Sequence, residues 1–100
     1  MKTKALGKQT RVLSCPPAVI GSACIVGQKE GEGPLRNEFD KIAEDSYFGQ
    51  ESWEKAESAM LRESLTLSCD KAAMSAASLD YVLSGDLLNQ CISSSFALRE

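Results

Sequence analysis

Side-chain catalysis needs a nucleophile beside a base, a poised acid–base pair, or a bound metal. The chain offers four thiols, Cys15, Cys24, Cys69 and Cys91, but it contains no histidine, the commonest general base. The cysteines lie far apart and form no C-x-x-C pair, whereas structural zinc draws on closely spaced Cys and His ligands. No catalytic residue and no metal ligand is assigned, and the four thiols read as reduced, small apolar side chains. Glu44 and Asp45 are adjacent, so on a helix they point in different directions and stay solvated. Gly31-Glu32-Gly33 lacks the G-x-G-x-x-G spacing of a dinucleotide cradle and reads as loop. No cofactor is expected.

One segment stands out as a candidate site, Gly85-Asp86-Leu87-Leu88-Asn89-Gln90. It falls where a strand's carboxyl end passes into a helix, the usual ligand position in open α/β sheets. Asp86, Asn89 and Gln90 are its polar side chains. A plain reading stands beside the functional one: Asp86 as an N-cap, with Asn89 and Gln90 as first-turn residues.

The elements that must position this segment follow from the hydrophobic pattern. Ala18–Val26 is apolar and rich in β-branched residues, lies between Pro16-Pro17 and Gly27, and reads as a strand buried on both faces. Gly27 to Leu35, centred on Gly31-Glu32-Gly33-Pro34, reads as a surface loop. Phe39, Ile42, Ala43, Ser46 and Tyr47 recur at helical spacing and predict a short helix ended by Gly49. A longer helix starts after Ser52, a good N-cap. Trp53, Ala56, Met60, Ser64 and Leu67 form its stripe, with Leu61, Leu65 and Ala72 beside it, a face broad enough for more than one neighbour. Glu51 and Lys55 stand at i,i+4 and add a few tenths of a kcal/mol. Ser75–Ser78 makes a polar break, Leu79–Ser84 is a second strand, and a last helix follows with Leu88, Cys91, Ile92, Ser95 and Phe96 facing inward. The order is β-loop-α-α-β-α, an α/β chain in which parallel strands are joined by a right-handed helical crossover. Residues 1–10 read as a poorly ordered lead-in.

Such a sheet cannot shield its own edges, and isolated two-stranded pieces are marginal in water. That is the physical case for reading the 100 residues as part of something larger. The composition, 43% hydrophobic and 25% charged with a net charge of −3, is ordinary for a globular protein and gives no reason to expect nucleic acid as a partner. No stretch approaches the roughly 20 apolar residues of a membrane-spanning helix. Met1-Lys2-Thr3-Lys4 starts like a signal peptide, but Gly7-Lys8-Gln9-Thr10-Arg11 follows in place of an apolar core.

Several blocks carry a family resemblance: Lys8-Gln9-Thr10, the run Gly27–Leu35, Phe39-Asp40, Trp53-Glu54-Lys55-Ala56-Glu57 and Gly85–Gln90. Together, in matching order from about Lys8 to Glu100, they resemble the stage V sporulation protein AD family. The resemblance implies a partial thiolase-like fold, with residues 1–100 as the N-terminal portion of a single thiolase-like domain, the first part of a layered α-β-α-β-α body. It implies a non-enzymatic, dipicolinic-acid-binding subunit of the machinery that moves calcium dipicolinate into the developing spore. The implied partners are dipicolinic acid with calcium, the other components of that transport complex, and a second copy in a homodimer. The implied location is peripheral, at the inner spore membrane. In the wider fold the loop after Leu79–Ser84 approaches the ligand pocket, which makes Asp86, Asn89 and Gln90 the candidates to line it. None of the four cysteines matches the Cys-containing segment of thiolase-like proteins. The rival reading is an acyltransferase or ketoacyl-synthase-like enzyme of the same superfamily, which needs a Cys/His pair these residues do not supply. A third is a gene remnant without activity. Two departures from the family pattern stand out. Ala72-Ala73-Met74 replaces an expected helix-ending Gly, at a cost of about 1 kcal/mol, and Ala76-Ala77-Ser78 replaces a Pro/acidic start to the next strand.

Overall fold

The computed structural model of the protein describes residues 2–88 and 91–99. One element dominates, the helix α2 (Trp53–Lys71), and its boundaries have visible causes. Ser52 is extended and its hydroxyl accepts from the Lys55 backbone N–H at 3.2 Å, which satisfies one of the donors a helix start leaves open. Glu51 and Lys55 pair at 3.0 Å on the exposed side, as their spacing predicts. At the other end Ala72 is the C-cap and Ala73 turns left-handed at φ 54°. Met74 N–H then donates to the Cys69 carbonyl at 2.9 Å, and Ala73 N–H to Asp70 at 3.1 Å, the paired bonds of a Schellman ending. The left-handed position expected of a glycine is therefore kept and occupied by alanine.

The two small sheets are built differently. β1 (Thr3–Leu6) and β2 (Thr10–Leu13) form an antiparallel hairpin turned at Gly7, which sits at φ 72°. This hairpin occupies the segment read from sequence as lead-in. β3 (Ile25–Val26) and β4 (Lys41–Ile42) pair in parallel, Ile25 opposite Lys41 and Val26 opposite Ile42. Between them run the single turn α1 (Gln28–Gly31) and further turns. Gly31 lies so close to Ile42 that a side chain there would collide with it. The chain is thus α/β, as expected, but its parallel pair is β3 with β4 in place of the expected Ala18–Val26 with Leu79–Ser84, and other elements depart from the predicted order as well.

The run Ala18–Val26 is strand only at Ile25–Val26. Before that it is extended and buried on one side, with Gly21 and Ala23 half-covered and Ser22 and Cys24 exposed. Its outer part is bare, and Val19 is 88% exposed. Leu79–Ser84 forms no strand; a 3-10 turn at Ala76–Ser78 leads into irregular chain, bent at Asp80, on which Leu83 is 98% exposed. Both runs have the residue types for strands, and neither has enough neighbouring backbone to pair with.

The short helix expected around Phe39–Tyr47 is replaced by β4 and a turn. Here two aspartates divert the backbone. Asp45 accepts from the Tyr47 and Gly49 N–H groups, both at 3.0 Å, and Asp40 accepts from Cys24 N–H at 2.7 Å. The Asp45 bonds are local and compete directly with the helical ladder, while the Asp40 bond ties the start of β4 to the chain entering β3. Phe48 and Gly49 then turn left-handed.

The last helix, α3 (Ile92–Ala97), starts later than predicted and faces the other way. Its buried residues are Ser93, Ser94 and Ala97, while Cys91, Ile92, Ser95 and Phe96 are exposed. α3 lies against α2, and small residues with satisfied hydroxyls allow the close approach.

The hydrophobic side chains buried among the described residues are all small: Ala43, Ala56, Cys69 and Ala97. The radius of gyration, 16.1 Å, exceeds the roughly 13 Å of a compact domain of this length. α2 organises what packing there is. Lys41 bridges to Glu63 at 2.5 Å and Lys71 to Asp40, fastening β4 and its approach to the helix.

Candidate functional site

The loop into α3 is built from its own polar side chains. Asp86 is half-buried, and its Oδ2 accepts the Ser93 backbone N–H at 2.9 Å while Oδ1 accepts the Ser94 hydroxyl at 3.0 Å. Ser84 donates in turn to the Ser94 hydroxyl at 3.0 Å. The carboxylate therefore supplies a capping acceptor to the start of α3 from seven residues behind, while the N-cap position itself, where the plain reading put Asp86, is Cys91. Asn89 and Gln90, the other two candidates, lie outside the described residues.

α2 clamps the same loop from below. Glu57 accepts from the Leu87 N–H at 2.7 Å and from the Leu88 N–H at 3.3 Å. On the adjacent face of the helix, Ser58 donates to the Ser93 carbonyl at 2.8 Å and Ser93 donates to the Glu54 carbonyl at 3.3 Å. Arg62 donates to the carbonyls of Phe96 at 3.1 Å and Ala97 at 3.3 Å, supplying donors to the end of α3 where carbonyls are left open. Glu54, Ser58 and Arg62 recur every four residues and form one polar row under α3. Sequence reading passed over this row because it lies beside the apolar stripe; its four-residue polar spacing was the available signal.

The chemistry this arrangement allows is limited. Both oxygens of Asp86 already accept from the chain, and its one hydroxyl partner, Ser94, also accepts from Ser84 within the same closed set of structural bonds. Among the described residues no group of three or more Cys, Asp or Glu side chains is placed to hold a metal ion, and the cysteines are unpaired, with only Cys69 buried. The perturbed carboxylates are elsewhere. Asp40 is held below its ordinary value by the Lys71 ammonium first and by the Cys24 N–H second. Asp45 is lowered by the N–H groups of Tyr47 and Gly49. Both are explained by structural bonds.

Open space is divided among several hollows, one of about 360 Å³ lined by Lys41, Ala43, Asp45, Phe48 and Gly49 among others. A cleft of about 500 Å³ runs along α2 and α3 and is lined by Ser52, Ser58, Ala59, Arg62, Ile92 and Phe96 among others. A smaller hollow of about 210 Å³ lies on the other side of α2, under Val82, Leu83 and Ser84. Asp86 lines none of these. No helix among the described residues is long and apolar enough to cross a membrane.

Fold and site together define a mixed α/β unit, built on one long capped helix that clamps a loop-to-helix segment. A family model for Stage V sporulation protein AD (SpoVAD) matches residues 7–100, and the chain belongs to that family. It is similar to the stage V sporulation protein AD of Bacillus subtilis (strain 168), 34% identical over 96 residues. The match covers 96% of this chain and 28% of that relative, so the chain spans little more than a quarter of the relative's length.

Proposed function

We propose that the chain serves sporulation as the N-terminal portion of a thiolase-like, non-enzymatic protein that binds dipicolinic acid for delivery, with calcium, to the developing spore. The observation that carries this reading is the family match across residues 7–100. The bare apolar runs at Val19–Ile20 and Tyr81–Leu83 support it, because they have the character of strands in a sheet whose other members lie elsewhere. In this reading the partners are the other components of the dipicolinate transport complex and a second copy of the protein. The protein sits peripherally at the inner spore membrane.

The role of Asp86 in this reading is positional. Dipicolinate is a dianion, and a carboxylate beside it repels unless a cation intervenes. Asp86 instead holds Ser93 and Ser94, and with Glu57 it fixes the course of the Gly85–Gln90 segment.

The test is calorimetric titration of dipicolinate into the protein at family length, with and without calcium. Saturable binding is expected, and Asp86→Ala should weaken it through a loosened segment. No binding under either condition sinks the proposal, and unchanged affinity in Asp86→Ala removes that residue from the site. Release of free coenzyme A from an acyl-CoA would transfer the protein to the acyltransferase reading.

A further inference from the structure

Charge is divided unevenly along the chain. Residues 1–29 contain Lys2, Lys4, Lys8, Arg11 and Lys29 and no acidic residue, while all 14 Asp and Glu lie from Glu30 onward. Four of these cations belong to the β1–β2 hairpin or its first flanking residue. Strand side chains alternate between faces, and Lys4 is opposite Val12 and Leu6 opposite Thr10. One face of the hairpin therefore carries Lys2, Lys4, Leu6, Thr10 and Val12, with Lys8 at the turn beside Leu6. Leu6 is 62% and Val12 46% exposed. Every hairpin residue is exposed except the half-buried Leu13. A two-stranded piece this open is marginal in water and gains order from a surface that covers it.

We propose that this hairpin docks on an anionic lipid bilayer. Leu6 and Val12 enter the boundary between headgroups and acyl chains, Lys2, Lys4 and Lys8 sit among the anionic headgroups, and Arg11, opposite Ala5 on the other face, adds longer-range attraction. Two features together select this occupant. The cations match negative surface charge, which attracts basic segments within a Debye length, and the two aliphatic side chains among them need an apolar medium that a nucleic-acid backbone does not provide. The hairpin also has no aromatic side chain to stack on bases. The acidic remainder of the chain is repelled by the same surface, so attachment is oriented hairpin-down. This proposal extends the peripheral placement above. It stands on charge and exposure, and needs no dipicolinate.

The experiment is co-sedimentation of the full chain with vesicles of phosphatidylglycerol in phosphatidylcholine, and with phosphatidylcholine alone, without dipicolinate. Binding is expected to the mixed vesicles and to fall with added salt. Lys4→Ala and Lys8→Ala should each weaken it about fivefold, and the triple variant Lys4→Glu, Lys8→Glu, Arg11→Glu should abolish it. Leu6→Ser with Val12→Ser should weaken binding without altering its salt dependence. The control Arg36→Glu, Lys55→Glu, Arg99→Glu changes the net charge by as much as the triple variant but elsewhere in the chain, and should bind normally. Equal binding to neutral vesicles, an equal loss in the control, or a triple variant that still binds overturns the proposal. Binding to polyglutamate but to no vesicle also overturns it, in favour of an acidic polypeptide. Dipicolinate affinity is measured separately, so either reading can fail while the other stands.

Discussion

The α2–α3 unit and the two apolar runs at Ala18–Val26 and Leu79–Ser84 make a contrast. The runs hold the strongly apolar, β-branched sequence, yet Val19 and Leu83 are almost fully exposed. α3 offers Ser93, Ser94 and Ala97 to its neighbour and is the better buried. Hydrophobic character sets what a segment would gain from burial. Whether it is buried depends on a surface that fits it. α3 has that surface in α2, where Glu54, Ser58 and Arg62 meet its polar groups one by one. The runs meet α2 at only a few points.

The largest effect should therefore come from disturbing the small interface. Ser93 is fully buried and donates to the Glu54 carbonyl. In Ser93→Leu the added volume has nowhere to go and the hydrogen bond is lost, a cost of about 3 kcal/mol. Urea unfolding followed by helical circular dichroism should show a clearly lowered midpoint, whereas Ser93→Ala should cost only about 1 kcal/mol. Equal midpoints for Ser93→Leu and the parent would mean that α3 is not seated on α2, and the contrast with the runs would collapse.

A smaller effect should come from the point where a run does touch the helix. A side chain added at Gly21 would stand 2.7 Å from the Ser68 carbonyl oxygen and 2.9 Å from the Ala72 Cβ. Gly21→Val should cost about 2 kcal/mol through this overpacking, and hydrogen exchange should rise at Ile25, Val26 and the last turn of α2. Unaltered exchange there would show the run to be loose along its whole length, which sharpens the comparison in the opposite sense.

The same contrast explains what sequence could and could not foretell. α2 was legible because its signals are local: Ser52 before the first turn, Glu51 with Lys55, and a broad apolar stripe. The inward face of α3 was not, because Ile92 and Phe96 look like core and stay at the surface. Its true contacts are hydroxyls and carbonyls, whose partners lie more than 30 residues away. The helix expected at Phe39–Tyr47 failed for another reason. The periodicity is present, but Asp40 and Asp45 draw backbone N–H groups into turns and a strand approach, and periodicity does not register that competition. In the candidate site the plain reading of Asp86 caught its capping bond but not its place, since Cys91 is the N-cap residue. Glu57, thirty residues upstream, was not legible, because what it holds is backbone.

The smallest expected effect lies at the end of α2, and it is a gain. Ala73 occupies the left-handed position of the Schellman ending at φ 54°, where a Cβ is disfavoured and glycine has no penalty. Both hydrogen bonds of the motif are already formed, from Met74 to Cys69 and from Ala73 to Asp70, so the substitution has nothing to rebuild. The added backbone freedom of glycine in the unfolded chain offsets part of the relief. Ala73→Gly should then stabilise the chain by about 1 kcal/mol, seen as a raised urea midpoint with unchanged helical content. The effect is also separable from the apolar runs, since the strain belongs to one residue's own backbone and not to a missing neighbour. A lowered midpoint would mean that Ala73 relieves its strain through contacts of its methyl group, and that the helix end depends on packing as the runs do. A raised one would set the two regions further apart: α2 limited by one residue's conformation, and the runs by surfaces the chain does not present to them.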